Sequence, residues 1–333
     1  MIRLCERITA ATLWPALEQA AIQIVTAGGM AAMGYYRDAW SRSAAVGEDR
    51  KNPSTDADIQ ATAAILQSCH TILSPMAGEL VCGVSYLGEE SQYDGLLRGK
   101  LSDDVMRHKH DPARFFESSN NVLRVIFDGI DGTANFNRGL PFFCSAVAVL
   151  IDDQVRVSAI YDPIHHLVYS AALTGPYETP TGAATASAWP VASGSKIDLI
   201  AGARSQPPTP LNREAVGTHF TRTRPKALQG FLRPSPGQSE GQLERLVAGT
   251  GGVYALNSGL VAMAEVARGA LGAFVNVVTN PWDVAAGECL VRACGGIVTT
   301  ISGAPIEYVS ADPVSVLAAK QHLHGPLLQL LAG

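Results

Sequence analysis

The segment Val122-Leu-Arg-Val-Ile-Phe127 runs directly into Asp128-Gly129-Ile130-Asp131-Gly132-Thr133. A β-branched and aromatic run of this kind predicts a strand. Two aspartates three residues apart at its end converge just outside a sheet, where open α/β sheets place their ligands. Gly129 and Gly132 permit the tight backbone path that brings both side chains and a carbonyl to one point. Taken alone, the segment is equally consistent with an Asp-Gly turn and two solvated carboxylates. An EF-hand loop fits poorly, because it needs oxygen ligands at alternate residues and a Glu at the twelfth position.

The surrounding pattern is that of a mixed α/β chain. Apolar residues at three- and four-residue steps predict helices over about 14–36 and 56–73. The runs 144–151 and 155–161 flank Asp152-Asp153-Gln154 and predict a hairpin, with a further strand over 167–172 after the Asp162-Pro163 turn. Asn257 or Ser258 can cap a helix reaching about Arg268. A strand over 273–278 follows, then a helix opened by Pro281-Trp282-Asp283 and closed by Gly295-Gly296, then a strand over 297–301. The Gly-, Pro-, Thr- and Ala-rich stretch 174–195 is the expected boundary between an N-terminal lobe, 1–185, and a C-terminal lobe, 186–333. Residues 92–124 are largely polar and irregular and read as a long insertion or lid.

Two further acidic clusters sit at element ends: Gly88-Glu89-Glu90-Ser91 after an apolar lead-in, and Trp282-Asp283 at a helix start. Each alone has an ordinary explanation, a solvated turn or a dipole-favoured acid in a first helical turn. Together with Asp128 and Asp131 they suggest one shared site, which would repel itself unless a cation neutralised it. Hard oxygen donors suit Mg²⁺.

In these pieces the chain resembles the inositol monophosphatase family, within the Mg²⁺-dependent, lithium-sensitive phosphatases that include fructose-1,6-bisphosphatases. The resemblance rests on Gly88-Glu89-Glu90-Ser91, on Asp128 to Phe136, and on Pro281 to Gly287 followed by Gly295-Gly296. Ser54 to Asp58 and Ile160 to Pro163 are similar to two further family elements, and the order holds over about 15–320. It implies a layered αβαβα sandwich and a phosphoric monoester hydrolase using two to three Mg²⁺ ions. Glu89, Asp128 and the Ile130 carbonyl would hold the first ion, and Asp128, Asp131 and Asp283 the second. A weaker third site would lie near Glu89 and Glu90. Thr133, with Asp58 behind it, would orient the attacking water, and the backbone N–H groups of Gly132 and Thr133 would receive the phosphate. Ser258, Asn276 and Asp283 are expected on the substrate side. A homodimer is implied by the resemblance alone.

Three positions depart from the family pattern: Gly129 in place of a proline, Asn276 in place of an acid, and Asn257-Ser258-Gly259 in place of a Gly-Thr-Ala-like segment. The last two lie on the substrate side and leave the choice of small phosphorylated substrate open among inositol phosphates, sugar phosphates and their like. A 3′(2′),5′-bisphosphate nucleotidase activity, served by the basic residues of the insertion, is one alternative. A non-catalytic phosphatase-like binding protein is another. The formal charge of −5 argues against a nucleic-acid polymer as partner. No apolar run is long enough for a membrane span. The six cysteines form no ligand cluster, which together with the absence of a secretory signal points to the cytoplasm. His108 and His110 are weak metal candidates, and His165-His166 is expected in an exposed turn.

Overall fold

The computed structural model describes residues 10–42, 56–80, 83–89, 97, 99–102, 105–106, 115, 122–175, 184–191, 195–219, 229, 231–234 and 240–332. In chain order its strands are β1 Gly83–Gly88, β2 Val122–Asp131, β3 Cys144–Ile151, β4 Gln154–Asp162, β5 Leu167–Leu173, β6 Ala184–Pro190, β7 Ile197–Asp198, β8 Ala215–Thr218, β9 Gly252–Ala255, β10 Ala273–Thr279, β11 Ile297–Thr299 and β12 Val314–Ala319. Its helices are α1 Ala10–Arg42, α2 Asp56–Leu80, α3 Thr133–Phe136, α4 Leu199–Ser205, α5 Gln242–Gly249, α6 Gly259–Arg268, α7 Ala285–Ala293 and α8 Gln321–Ala332. The first sheet runs β1 to β7 in sequence order, and the second runs β11-β12-β10-β8-β9.

Side-chain alternation stacks these elements into five layers. In β3, Val147, Val149 and Ile151 point toward α1 and α2, where they meet Leu17, Ile24, Ile65 and Leu66. Cys144, Ala146, Ala148 and Leu150 point the other way, into a core shared with α6 and α7. The same core receives Phe274, Val316 and Ala318 from the second sheet. Ala273, Val275, Leu317 and Ala319 cover that sheet's far face with Leu246 of α5 and Leu323, Leu327 and Leu331 of α8. The expected αβαβα sandwich is therefore present. Each fully buried Leu or Ile contributes about 1.5–3 kcal/mol by leaving water. α1 lies close on the sheet because Gly29 faces the Tyr161 ring and the Ser145 hydroxyl, where a Cβ would collide.

Several boundaries differ from the sequence expectation. The first two helices are longer, reaching Arg42 and Leu80. Pro281–Asp283 is a 3-10 turn, and the α-helix begins only at Ala285. The presumed inter-lobe stretch contains β6, which pairs antiparallel with β5 from Leu167↔Pro190 to Leu173↔Ala184. Its Ala-Thr-Ala-Ser-Ala composition carries little strand propensity, so pairing on an existing sheet edge supplies the order. The first sheet thus extends through β7, and the chain passes to the second sheet between Asp198 and Ala215.

Most of 92–121 lies outside the described residues. Those that are described include Leu97, Leu101 and Val105, buried in the core that α1 and α2 share with the first sheet. Phe115 is also buried and lies under the Arg124 guanidinium, which pairs with Asp153. At these positions the insertion is core, contrary to the reading of the whole stretch as a polar loop. Ser54, Thr55, Glu90, His108 and His110 lie outside the described residues. His165 sits in the expected exposed turn, its Nδ1 2.7 Å from Asp162 Oδ2. Among the described residues no helix is long and apolar enough to cross a membrane.

Candidate active site

Parallel pairing builds the first half of the site. β1 and β2 run in register from Gly83↔Val122 to Gly88↔Phe127. One step further, Glu89 stands level with Asp128, though far from it in sequence. The aspartates expected beyond the strand lie on β2 itself. The β2–β3 register shifts between Asp128↔Ala146 and Asp131↔Cys144, so one extra residue bulges out there. A bulge re-aims side chains, and this one sends the two aspartates to different partners. Gly129 is held close against α2, where a Cβ would come within 3.2 Å of Ala61 Cβ and of the Asp58 carbonyl. Its own carbonyl accepts from the Ser145 hydroxyl at 2.6 Å. That packing accounts for a glycine at this position.

The second half arrives from the other sheet. Asn280 caps the Pro281–Asp283 turn in a reciprocal capping box. Asp283 Oδ2 accepts from the Thr279 hydroxyl at 2.9 Å, the Asn280 N–H at 3.0 Å and the Asn280 side chain at 3.3 Å. Glu89, Asp128 and Asp283 each offer a carboxylate oxygen, and these oxygens lie within 4.8 Å of one another. Asp128 is fixed from beneath, its Oδ1 accepting the Ile130 N–H at 2.9 Å.

Asp131 does not join this trio. Its Oδ2 accepts from the Ser258 hydroxyl at 2.6 Å and the Leu260 N–H at 2.7 Å, at the start of α6. Asp131, expected as a metal ligand, is held in the structure through one oxygen by the start of a helix, where unpaired amides favour an acid. Ser258 is the N-cap of α6, its Oγ accepting from Val261 N–H. Expected as a substrate contact, it is engaged at both ends by Asp131 and the helix. Asn276 is buried and its Oδ1 accepts from the Val278 N–H at 3.2 Å.

Thr133 and Asp58, the pair expected to orient water, lie side by side. Thr133 Oγ1 lies 3.1 Å from Asp58 Oδ1 and 2.9 Å from the Ile130 carbonyl. Asp58 is buried in the first turn of α2. Gly132 adopts φ 93°, a left-handed conformation favoured by glycine, and opens α3 just before Thr133. Thr133→Ala is expected to lower kcat about 100-fold with little change in KM, and Thr133→Ser to recover most of it. Steady-state kinetics checks both.

Charge at the site is strained in the absence of a cation. Burial, and then the Asp283 charge, push the Asp131 carboxyl up to about 7 against the hydrogen bonds from Ser258, Leu260 and Gly259. Burial also raises Asp283, opposed by its bonds to Asn280 and Thr279 and by His219. Carboxylates held together and away from water favour either protons or a cation. An all-oxygen donor set of this size fits a hard divalent ion.

Sequence reasoning missed four residues at the site. His219 follows β8 and lies near enough to Asp283 for each to bias the other's charge; burial lowers its pKa and Asp283 raises it. A single histidine after a four-residue strand gives no periodic signal. Asn135 Nδ2 reaches the carbonyls of Phe142 at 2.6 Å and Leu256 at 2.7 Å, joining the two halves of the site. Thr279 and Asn280 hold Asp283, and the Asn-Pro-x-Asp capping pattern could have revealed Asn280.

A carboxylate trio at converging strand ends, beside a hydroxyl backed by a buried acid, is the architecture of the phosphatases that work through an acidic, cation-binding centre. The inositol monophosphatase family profile matches residues 15–332, and the chain belongs to that family. It is thereby a phosphoric monoester hydrolase by class. It is 30% identical over 215 residues to inositol-1-monophosphatase ImpA of Mycolicibacterium smegmatis, covering 65% of this chain and 68% of that protein. It is 28% identical over 205 residues to an inositol-1-monophosphatase of Synechocystis, covering 62% of this chain and 61% of that protein, under two thirds of its length. Its fold is similar to that of the inositol monophosphatase from Anabaena (TM-score 0.64, 21% identity, 96% of this chain and 97% of that one).

Proposed function

We propose that the protein is a Mg²⁺-dependent phosphatase that hydrolyses a small-molecule phosphate monoester by direct attack of water. The observation that carries this reading is the trio Glu89, Asp128 and Asp283, with oxygens within 4.8 Å of one another. Together with the Ile130 carbonyl these residues would hold Mg²⁺, and Asp131 would join them on leaving α6. Glu90 is proposed for a third, weaker ion. Bound there, Mg²⁺ supplies the charge that makes a water nucleophilic at neutral pH and stabilises the leaving oxygen.

The protein's own groups do the positioning. Thr133 Oγ1 donates to Asp58 and would accept a hydrogen bond from the attacking water, which fixes the direction of the water's lone pair. The Gly132 and Thr133 N–H groups, at the opening of α3, receive non-bridging phosphate oxygens. Thr279 and Asn280 hold one oxygen of Asp283, and its other oxygen would be available to the cation. A homodimer, a cytoplasmic location and a two-lobe organisation are proposed on the family resemblance and on composition.

Phosphate release from a panel of esters, with Mg²⁺, with EDTA and with Mg²⁺ plus Li⁺, tests the function. EDTA is expected to abolish release and Li⁺ to inhibit it. Release that persists unchanged in EDTA, or on no ester at all, would overturn the proposal. The second outcome would favour a non-catalytic binding protein.

A further inference from the structure

Three strands of the second sheet end together beside Asp283. β8 runs parallel to β10 with Thr218↔Val275 and parallel to β9 with Thr218↔Ala255. One step beyond, His219 stands level with Asn276 on one side and with Leu256, just before Asn257, on the other. Asp283 follows β10 and Ser258 follows β9, so all of these residues lie on the edge that carries the site. Ligands of such sheets bind at the carboxyl ends of parallel strands.

We infer that His219, Asn257 and Asn276 form the alcohol-binding side of the site and select a phosphorylated hydroxy acid over a phosphorylated plain polyol. The inference rests on the phosphatase reading above and names its substrate class.

Three observations on the side chains support it. Asn276 is buried and spends its Oδ1 on the Val278 N–H, which leaves the amide N–H groups as what it offers a ligand. Asn257 holds a left-handed backbone, φ 54°, and its Oδ1 is buried without a hydrogen-bond partner. A buried acceptor of this kind calls for a donor, which a substrate hydroxyl supplies. The imidazole of His219 adds a polar group within electrostatic reach of Asp283.

The acids at this edge already have other work. Glu89, Asp128 and Asp283 form the cation trio, and Asp131 binds the start of α6. Among the described residues named at this edge, no further carboxylate is left to accept polyol hydroxyls or to repel an anion. Amide and imidazole donors suit a carboxylate on the alcohol, because hydrogen bonds to a charged acceptor are the stronger ones. The lone acceptor on Asn257 suits the neighbouring hydroxyl.

Glycerol 3-phosphate and 3-phosphoglycerate form a matched pair, differing by a hydroxymethyl against a carboxylate. The wild-type enzyme with Mg²⁺ is expected to show kcat/KM at least about tenfold higher on 3-phosphoglycerate. Asn276→Asp is expected to cut that ratio by about tenfold or more, since a like charge then faces the carboxylate. His219→Ala is expected to lower it in the same direction. A wild-type ratio of one or less, or a ratio that Asn276→Asp leaves unchanged, overturns the inference. p-Nitrophenyl phosphate, which carries neither group, reads the phosphatase activity separately, so its hydrolysis with a ratio of one sinks only the substrate class. Calorimetric binding of glycerate against glycerol, with Mg²⁺ and inorganic phosphate present, decides the matter without turnover: glycerate binding the tighter supports the inference, and equal binding rejects it.

Discussion

Asp128→Asn is expected to lower Mg²⁺-dependent phosphate release by at least about 10³-fold, because removing a shared anionic ligand forfeits several kcal/mol of charge stabilisation at the reacting centre. Asp128 and Glu89 each come directly after the last β1–β2 pair, Gly88↔Phe127, and the oxygens offered by Glu89, Asp128 and Asp283 lie within 4.8 Å of one another, so the Asp128 charge bears on both other acids. The amide keeps the shape, and its oxygen still accepts the Ile130 N–H. The fold should therefore survive, and in EDTA the variant should melt no lower than the wild type, since one of three mutually repelling charges is gone. Mg²⁺ is expected to raise the melting temperature of the wild type, and that rise should largely disappear in the variant. Turnover near the wild-type rate would reject Asp128 as a ligand.

The second large effect joins stability to pH. The folded protein without cation holds Asp131 near pKa 7, raised from an ordinary value near 3.8. The folded state therefore binds the proton more tightly than the unfolded chain. Stability from this group is complete below about pH 4 and is lost as pH rises through about 7. In EDTA the wild type should melt at a lower temperature at pH 8 than at pH 5. Asp131→Asn should flatten that slope in part, the remainder belonging to Asp283, which burial also raises. At pH 8 the variant should be the more stable protein and yet lose about 100-fold or more in turnover, a loss expected of a group that aids a metal centre. A wild-type melting temperature that climbs from pH 5 to pH 8 in EDTA would contradict the assignment.

Much of the fold was legible because its elements carry strong periodic patterns. The α1 and α2 stripes, the β3–β4 hairpin and the Ser258-capped helix all followed from spacing and caps. What escaped was order supplied by neighbours. β6 is a run of small residues whose strand state depends on β5, and Leu97, Leu101 and Val105 are apolar points in a polar stretch. Within the site, Glu89, Asp128, Asp283, Thr133 and Asp58 were readable as acids and a hydroxyl at element ends. The hydrogen bonds of Asp131 to α6 were not, because they depend on a one-residue bulge in β2 and on how two sheets meet. His219 escaped for the same reason: its importance comes from the register of β8 against β10, which no local pattern encodes.

The pairing of β1 with β2 has a consequence for how such a protein can be remodelled. Glu89 and Asp128 are brought level by strand register, not by the peptide that connects them. The entropy of closing that connection grows only slowly with its length. An engineer could therefore splice a tag, a cover or an entire small module into the connector, sparing its few core-facing residues, and leave the two acids side by side. Shifting β1 by a single residue would do the opposite, turning Glu89 to the other face of the sheet and dissolving the pair.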